Sequence, residues 1–187
     1  PLTDLLVSPK DGAMYFAIGG RRTQSALYRV TYAGSESTSP SKGMKGGEKE
    51  RAQRQRLESF HGRQDASAVR EAWPFLSSKD RNLRFAARVA IEWQPVAEWQ
   101  ERALADKNPV ASTHALLALA RATSRDPFHR KPTDPAVDAS LLPKVVAALD
   151  RITWTKLDAS QQLDLLRAYS VAFTRLGKPD DATRSRL

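Results

Sequence analysis

The chain has no cysteine among its 187 residues. That excludes disulfides, thiolate metal sites, thiol nucleophiles and covalently attached haem within it. No apolar run approaches the roughly 20 residues that a membrane-crossing helix needs. The first residues, Pro1-Leu2-Thr3-Asp4, carry neither an initiator methionine nor a basic n-region, and the last, Arg184-Ser185-Arg186-Leu187, lie in a helix begun at Asp180. Both ends read as cut from something larger. Neither Gly-x-x-x-x-Gly-Lys nor Gly-x-Gly-x-x-Gly occurs, so nucleotide binding has no support. His61, His114 and His129 share no metal-ligand spacing, and Asp4, Asp11, Asp126, Asp134 and Asp138 lack the alternation of a calcium loop. Ser112 and His114 are two apart, so on a helix their side chains diverge and cannot form a nucleophile-base pair. No catalytic residue, cofactor-binding residue or metal ligand is assigned, and whether the parent protein is an enzyme stays open.

Acidic residues are in deficit, 21 against 30 basic ones, for a net charge of +9 and a pI near 10.1. Such an excess favours nucleic acid, an anionic membrane surface or an acidic protein partner. The charge is nevertheless dispersed. Arg outnumbers Lys two to one, and most arginines sit among acids at helical spacing, as in Asp80 with Arg84 and Arg88 with Glu92.

Residues 1–32 read as strands: Leu2 to Val7, then Ala13 to Ile18 after the turn Pro9-Lys10-Asp11-Gly12, then Ala26 to Tyr32 after a loop from Gly19 to Ser25. Three short strands cannot bury both faces alone and need a larger sheet or the helices. Residues 33–47, rich in Gly, Ser, Thr and Lys, read as a flexible linker. Residues 48–187 read as helical. Glu48 to Phe60 is strongly charged, with Leu57 and Phe60 as apolar anchors. Asp65 to Leu76 and Asp80 to Trp93 are expected to pair, as are Val96 to Ala105 and Pro109 to Thr123, with Asp65 as an N-cap and Pro95 and Pro109 at helix starts. A long loop, Ser124 to Ala136, precedes helices at Ser140 to Ile152 and Ser160 to Leu176, and Gly177 is placed to end the last.

On the Asp80 helix, Leu83, Ala86, Ala87, Ala90, Ile91 and Trp93 fall on one side, with Arg81, Arg84 and Arg88 as a stripe beside them. Trp73, Trp93, Trp99 and Trp154 are expected to pack in the core with their indole N–H groups reaching partners at its edge. His114 is expected to pack as well. The run Asp80-Arg81-Asn82-Leu83-Arg84-Phe85-Ala86-Ala87-Arg88 and its counterpart about 28 residues on, Asn108-Pro109-Val110-Ala111, resemble the HEAT repeat. In HEAT-like stacks the turn Asp commonly bonds the Arg of the next repeat, and Asp80, Asp106 and Asn108 are placed as acceptors. The fold class is therefore mainly α: a HEAT-like α-solenoid of about three helix pairs, preceded by a short antiparallel β segment and a linker.

A wider resemblance joins the two halves. Pro9-Lys10-Asp11-Gly12-Ala13-Met14-Tyr15-Phe16, Gly19-Gly20-Arg21 and Leu27-Tyr28-Arg29-Val30 resemble the closing β-propeller blade of large planctomycete and verrucomicrobial-type dehydrogenase-like, haem-binding proteins, akin to sorbosone and glucose dehydrogenases. Trp73-Pro74-Phe75-Leu76, the Arg84 to Arg88 run and Gln162-Leu163-Asp164-Leu165-Leu166-Arg167-Ala168-Tyr169 resemble the helical connector that follows the propeller and precedes a cytochrome c domain. The resemblance implies a non-catalytic connector in a periplasmic or secreted redox protein whose other domains are its partners. It also implies pyrroloquinoline quinone, calcium and haem c in that parent. The chain departs from the family in lacking Cys-x-x-Cys-His, and the residues that hold quinone and calcium would lie upstream of Pro1. Arg21 and Arg22 sit on a loop of the kind that could face the propeller funnel, or on a plain solvated hairpin. The competing reading is a basic helical-repeat module that grips nucleic acid or an acidic protein through Arg81, Arg84 and Arg88.

Overall fold

The computed structural model describes residues 2–39 and 46–186. The chain is mainly helical, with a three-stranded antiparallel sheet near its N-terminal end. It divides into two compact units, Pro1–Lys45 and Gly46–Leu187.

In the first unit, β1 (Leu2–Val7), β2 (Met14–Gly20) and β3 (Thr23–Val30) lie in the order β1-β2-β3. The first turn is closed by Gly12, at φ 66°, whose N–H donates to the Ser8 carbonyl at 2.9 Å. The second hairpin is tighter than the expected loop from Gly19 to Ser25. Gly20 pairs directly with Thr23, so Arg21 and Arg22 are its only loop residues, and Arg22 adopts φ 64°. Such a two-residue connection matches the strand twist and lets the ladder run to its end. Register places Leu5, Phe16 and Tyr28 on one face with Val7, Met14 and Val30. The Phe16 and Tyr28 rings stack with centroids 5.1 Å apart. The opposite face carries Tyr15 and Arg29, tied to Asp11: Arg29 Nη2 donates to Asp11 Oδ2 at 3.1 Å and Tyr15 Oη to the same oxygen at 3.0 Å. The apolar face stays open, Leu5 at 49% and Val30 at 48% exposure, because three strands offer no second layer to cover it. Residues 33–39 of the expected linker form neither helix nor strand, and residues 40–45 of it lie outside the described residues.

The second unit contains α1 (Glu48–Glu58), α2 (Ala68–Ala72), α3 (Arg81–Glu92), α4 (Gln100–Ala105), α5 (Pro109–Ala122), α6 (Leu141–Asp150), α7 (Ala159–Leu176) and α8 (Asp181–Arg186). Among the described residues no helix is long and apolar enough to cross a membrane. Each of three long helices takes a short preceding segment against it: α2 with the 3₁₀ turn Trp73–Ser77 on α3, α4 on α5, and α6 on α7. The long helices also pack in sequence, α1 on α3, α3 on α5 and α5 on α7. α5 is thus enclosed, and every residue from Ala111 to Ala120 is buried. That suits its composition of alanine and leucine on all sides, since a helix apolar all round belongs inside.

Two expected helices are shorter than the periodicity suggested. The segment from Asp65 to Leu76 is α2 followed by a 3₁₀ turn, because Pro74 has no N–H to continue the helix and its ring crowds the carbonyl one turn back. Asp65 stands outside α2, its carboxylate taking the Ser67 N–H at 2.9 Å and hydroxyl at 2.8 Å. Likewise Val96 to Ala105 is a 3₁₀ turn, Val96–Glu98, and then α4. Trp99 is buried, donating to the Gln94 carbonyl at 3.3 Å, and Trp73 is buried, donating to Asp106 Oδ2 at 2.7 Å under the Arg102 guanidinium. Trp93 and Trp154 are not core residues: both are exposed. Trp93 is the C-cap of α3 and sits at the margin of the buried stripe, whereas Gln94 next to it is buried.

Three of the long helices start on side-chain caps, the first two as the sequence implies. Asp80 accepts from the Asn82 N–H at 2.7 Å, Asn108 from Val110 at 3.1 Å and Ala111 at 3.0 Å, and Asp158 with Gln161 closes a capping box on α7. Asn108→Ala is expected to destabilise the helical unit by about 1 kcal/mol, read as a lower denaturation midpoint, because two α5 amides lose their acceptor.

Candidate functional site

Of the expected stripe on α3, only Arg81 is an exposed side chain. Arg84 folds back along its own helix start, Nη1 donating to the Ser78 carbonyl at 2.7 Å and the Lys79 carbonyl at 3.1 Å, so it makes no pair with Asp80. Asp80 is already engaged in capping α3. Arg88 bonds Glu92 one turn on, as their spacing implies. Arg21 and Arg22 are exposed at the hairpin tip of the first unit.

A residue that the sequence pairs with Arg88 alone joins two helices here. Glu92 lies mostly buried at the end of α3 and accepts from Arg88 and, at 2.9 Å, from Arg121 Nε at the end of α5. The ladder between neighbouring helices exists, but it runs through Glu92, near their C-terminal ends. The turn residues expected to accept it are used elsewhere: Asp106 takes Trp73 Nε1 and the Asn108 N–H, and Asn108 caps α5. Burial pulls the Arg88 pKa below the ordinary arginine range, with the Glu92 carboxylate opposing that shift. A signal was present in the sequence, since Glu92 and Arg121 are separated by nearly the same interval as the caps Asp80 and Asn108.

His114 faces α7. Its Nε2 lies 3.6 Å from Asp164 Oδ2 and makes no hydrogen bond. Burial lowers its pKa to about 4, the Asp164 carboxylate opposing and the Arg84 and Arg88 guanidiniums adding to the shift. The imidazole is therefore neutral near pH 7. Asp164 and Arg84 also line a polar cleft of about 350 Å³ with Lys79, Ser160 and Gln161, between the turn before α3 and the start of α7. Ser112 lines a different cleft, among α4, α5 and α6. A polar seam results in which Glu92 ties α3 to α5 through Arg88 and Arg121, with Arg84, His114, Asp164 and Arg167 beside it. Its chemistry is that of a structural joint: the Glu92 carboxylate accepts from two guanidiniums, and the buried His114 Nε2 makes no hydrogen bond.

The other histidines do not join it. His61 Nε2 meets the Ala86 carbonyl at 2.9 Å, and His129 Nδ1 lies 3.6 Å from Asp126. Among the described residues no three His, Asp or Glu side chains converge as a metal-binding group would. Set against family models, curated proteins and solved structures, the chain matches none.

Proposed function

We propose that the chain is a non-catalytic helical scaffold, a HEAT-like α-solenoid of about three helix pairs that follows the closing strands of a β-propeller. It would space that propeller from a cytochrome c domain in a larger extracytoplasmic redox protein. The observation that carries the solenoid reading is recurrence. Asp80 and Asn108, 28 residues apart, cap successive long helices through the same bond to the second amide, and Glu92 ties the far ends of the same two helices together. Three short-then-long pairs in chain order support the same reading. Such a stack is stiff and holds its ends at a fixed separation, which a Gly/Ser linker does not. The open apolar face of β1, β2 and β3 supports membership in a larger β structure. The quinone, calcium and haem c of the parent would be held by residues outside this chain, which has no cysteine for a haem attachment.

The geometry weighs against a nucleic-acid or acidic-partner grip on α3. Phosphate contacts need guanidiniums that are free to leave their present partners. Arg84 is bonded to two carbonyls and Arg88 to a buried carboxylate, so the row offers Arg81 alone. The test of the connector is the encoding gene a few hundred codons to each side. Propeller blades with a signal peptide upstream and Cys-x-x-Cys-His downstream are the expected result. A start codon just before Pro1 with a stop after Leu187 would overturn it.

A further inference from the structure

A cleft of about 590 Å³ opens where the C-terminal end of α4, the first turns of α5 and the end of α6 converge. Its volume falls in the range of small-molecule sites, roughly 300–1,000 Å³. Leu104, Pro109, Ala148 and Ile152 supply apolar walls. Ser112 also lines it, and this side chain is 1% exposed with an Oγ that has no hydrogen-bond partner. A buried hydroxyl without a partner costs about 1–3 kcal/mol, so its presence here calls for a partner. Its neighbour shows the contrast: Thr113 Oγ1 turns back to the Pro109 carbonyl at 2.8 Å, the ordinary way a helical hydroxyl is satisfied.

The charges at the cleft favour an anion. Lys107 is exposed beside it, and Arg151 holds the Leu104 carbonyl with one of its N–H groups. The single acid, Asp106, is engaged on both oxygens, by Trp73 Nε1 and by the Asn108 N–H. We infer that this cleft binds a small organic carboxylate with a compact apolar body. The apolar body lies between Leu104, Ala148 and Ile152, the Ser112 hydroxyl donates to the carboxylate once a small side-chain shift uncovers it, and Lys107 and Arg151 balance its charge. The site is independent of the connector reading and of the α3 arginines.

The experiment is a titration of the ¹⁵N-labelled full chain with octanoate, with octan-1-ol and acetate as probes for the tail alone and the head alone. Saturable shifts are expected at Lys107, Ser112 and Ile152 with octanoate at millimolar concentration or below, and at least tenfold weaker responses to the other two. Ser112→Ala and Lys107→Ala should each weaken octanoate about tenfold, the loss of one hydrogen bond to a charged group. Ser112→Ala removes an unsatisfied hydroxyl, so it should fold at least as stably as the parent chain, and Lys107 is a surface residue. Absence of saturable shifts, equal binding of octan-1-ol, or unchanged affinity in both variants would overturn the assignment.

Discussion

Glu92→Gln is expected to destabilise the helical unit by about 3 kcal/mol, because it strands a buried arginine whose partner has been neutralised. Arg88 and Glu92 have side chains only 11% and 14% exposed, and Arg121 depends on the same carboxylate. Two charges taken from water gain little net stability while they are paired, but removing one leaves the full desolvation cost of the other. The checking measurement is a denaturant titration of the full chain followed by far-ultraviolet circular dichroism. The double variant Arg88→Met with Glu92→Leu should recover most of the loss, since an apolar pair of similar volume needs no compensation. A Glu92→Gln midpoint unchanged within error would mean that the seam is solvated and carries no brace.

Stability should also fall as pH drops from about 6.5 to about 4, through His114. Its folded pKa is depressed to about 4 from the 6.5 of an exposed imidazole, first by burial. In that window the unfolded chain binds a proton that the folded chain refuses, so the His114 contribution is complete above pH 6.5 and is lost on acidification. A shift of this size corresponds to about 3 kcal/mol once the pH is below both values. The groups that face the ring are Asp164 on α7, which favours its protonation, and Arg84 and Arg88 on α3, which oppose it. His114→Gln should flatten the stability profile between pH 6.5 and 4. A variant profile as steep as that of the parent would assign the acid sensitivity to other groups.

The elements differ in how far they could be read from the sequence. The caps Asp80 and Asn108 were legible because they are local, acting on amides two or three residues away, whereas the Asp158 box was not picked out. The buried stripe Leu83, Ala86, Ala87, Ala90 and Ile91 was legible because period 3.6 identifies one face without reference to what covers it. Trp93 continued that pattern and still ended in solvent, since it lies at the margin of the stripe, while Gln94, on its centre line, is buried. Pro74 shortened α2 through a steric rule that the sequence displays, although the propensity of Asp65 to Leu76 as a whole pointed to a helix.

The candidate site was legible only in part. Arg88 and Glu92 were pairable by spacing, whereas Arg121 reaches Glu92 from another helix and His114 meets Asp164 across a gap of 50 positions. Composition and local pattern by themselves determined the helical class, the three strands, the absence of thiol chemistry and most helix starts, because these depend on backbone and near-neighbour energetics. Which arginines remain available to solvent, which indoles are buried, and which carboxylate bears the load were decided only by tertiary structure. Desolvation and charge pairing depend on what approaches from distant parts of the chain, and no single helix carries that information.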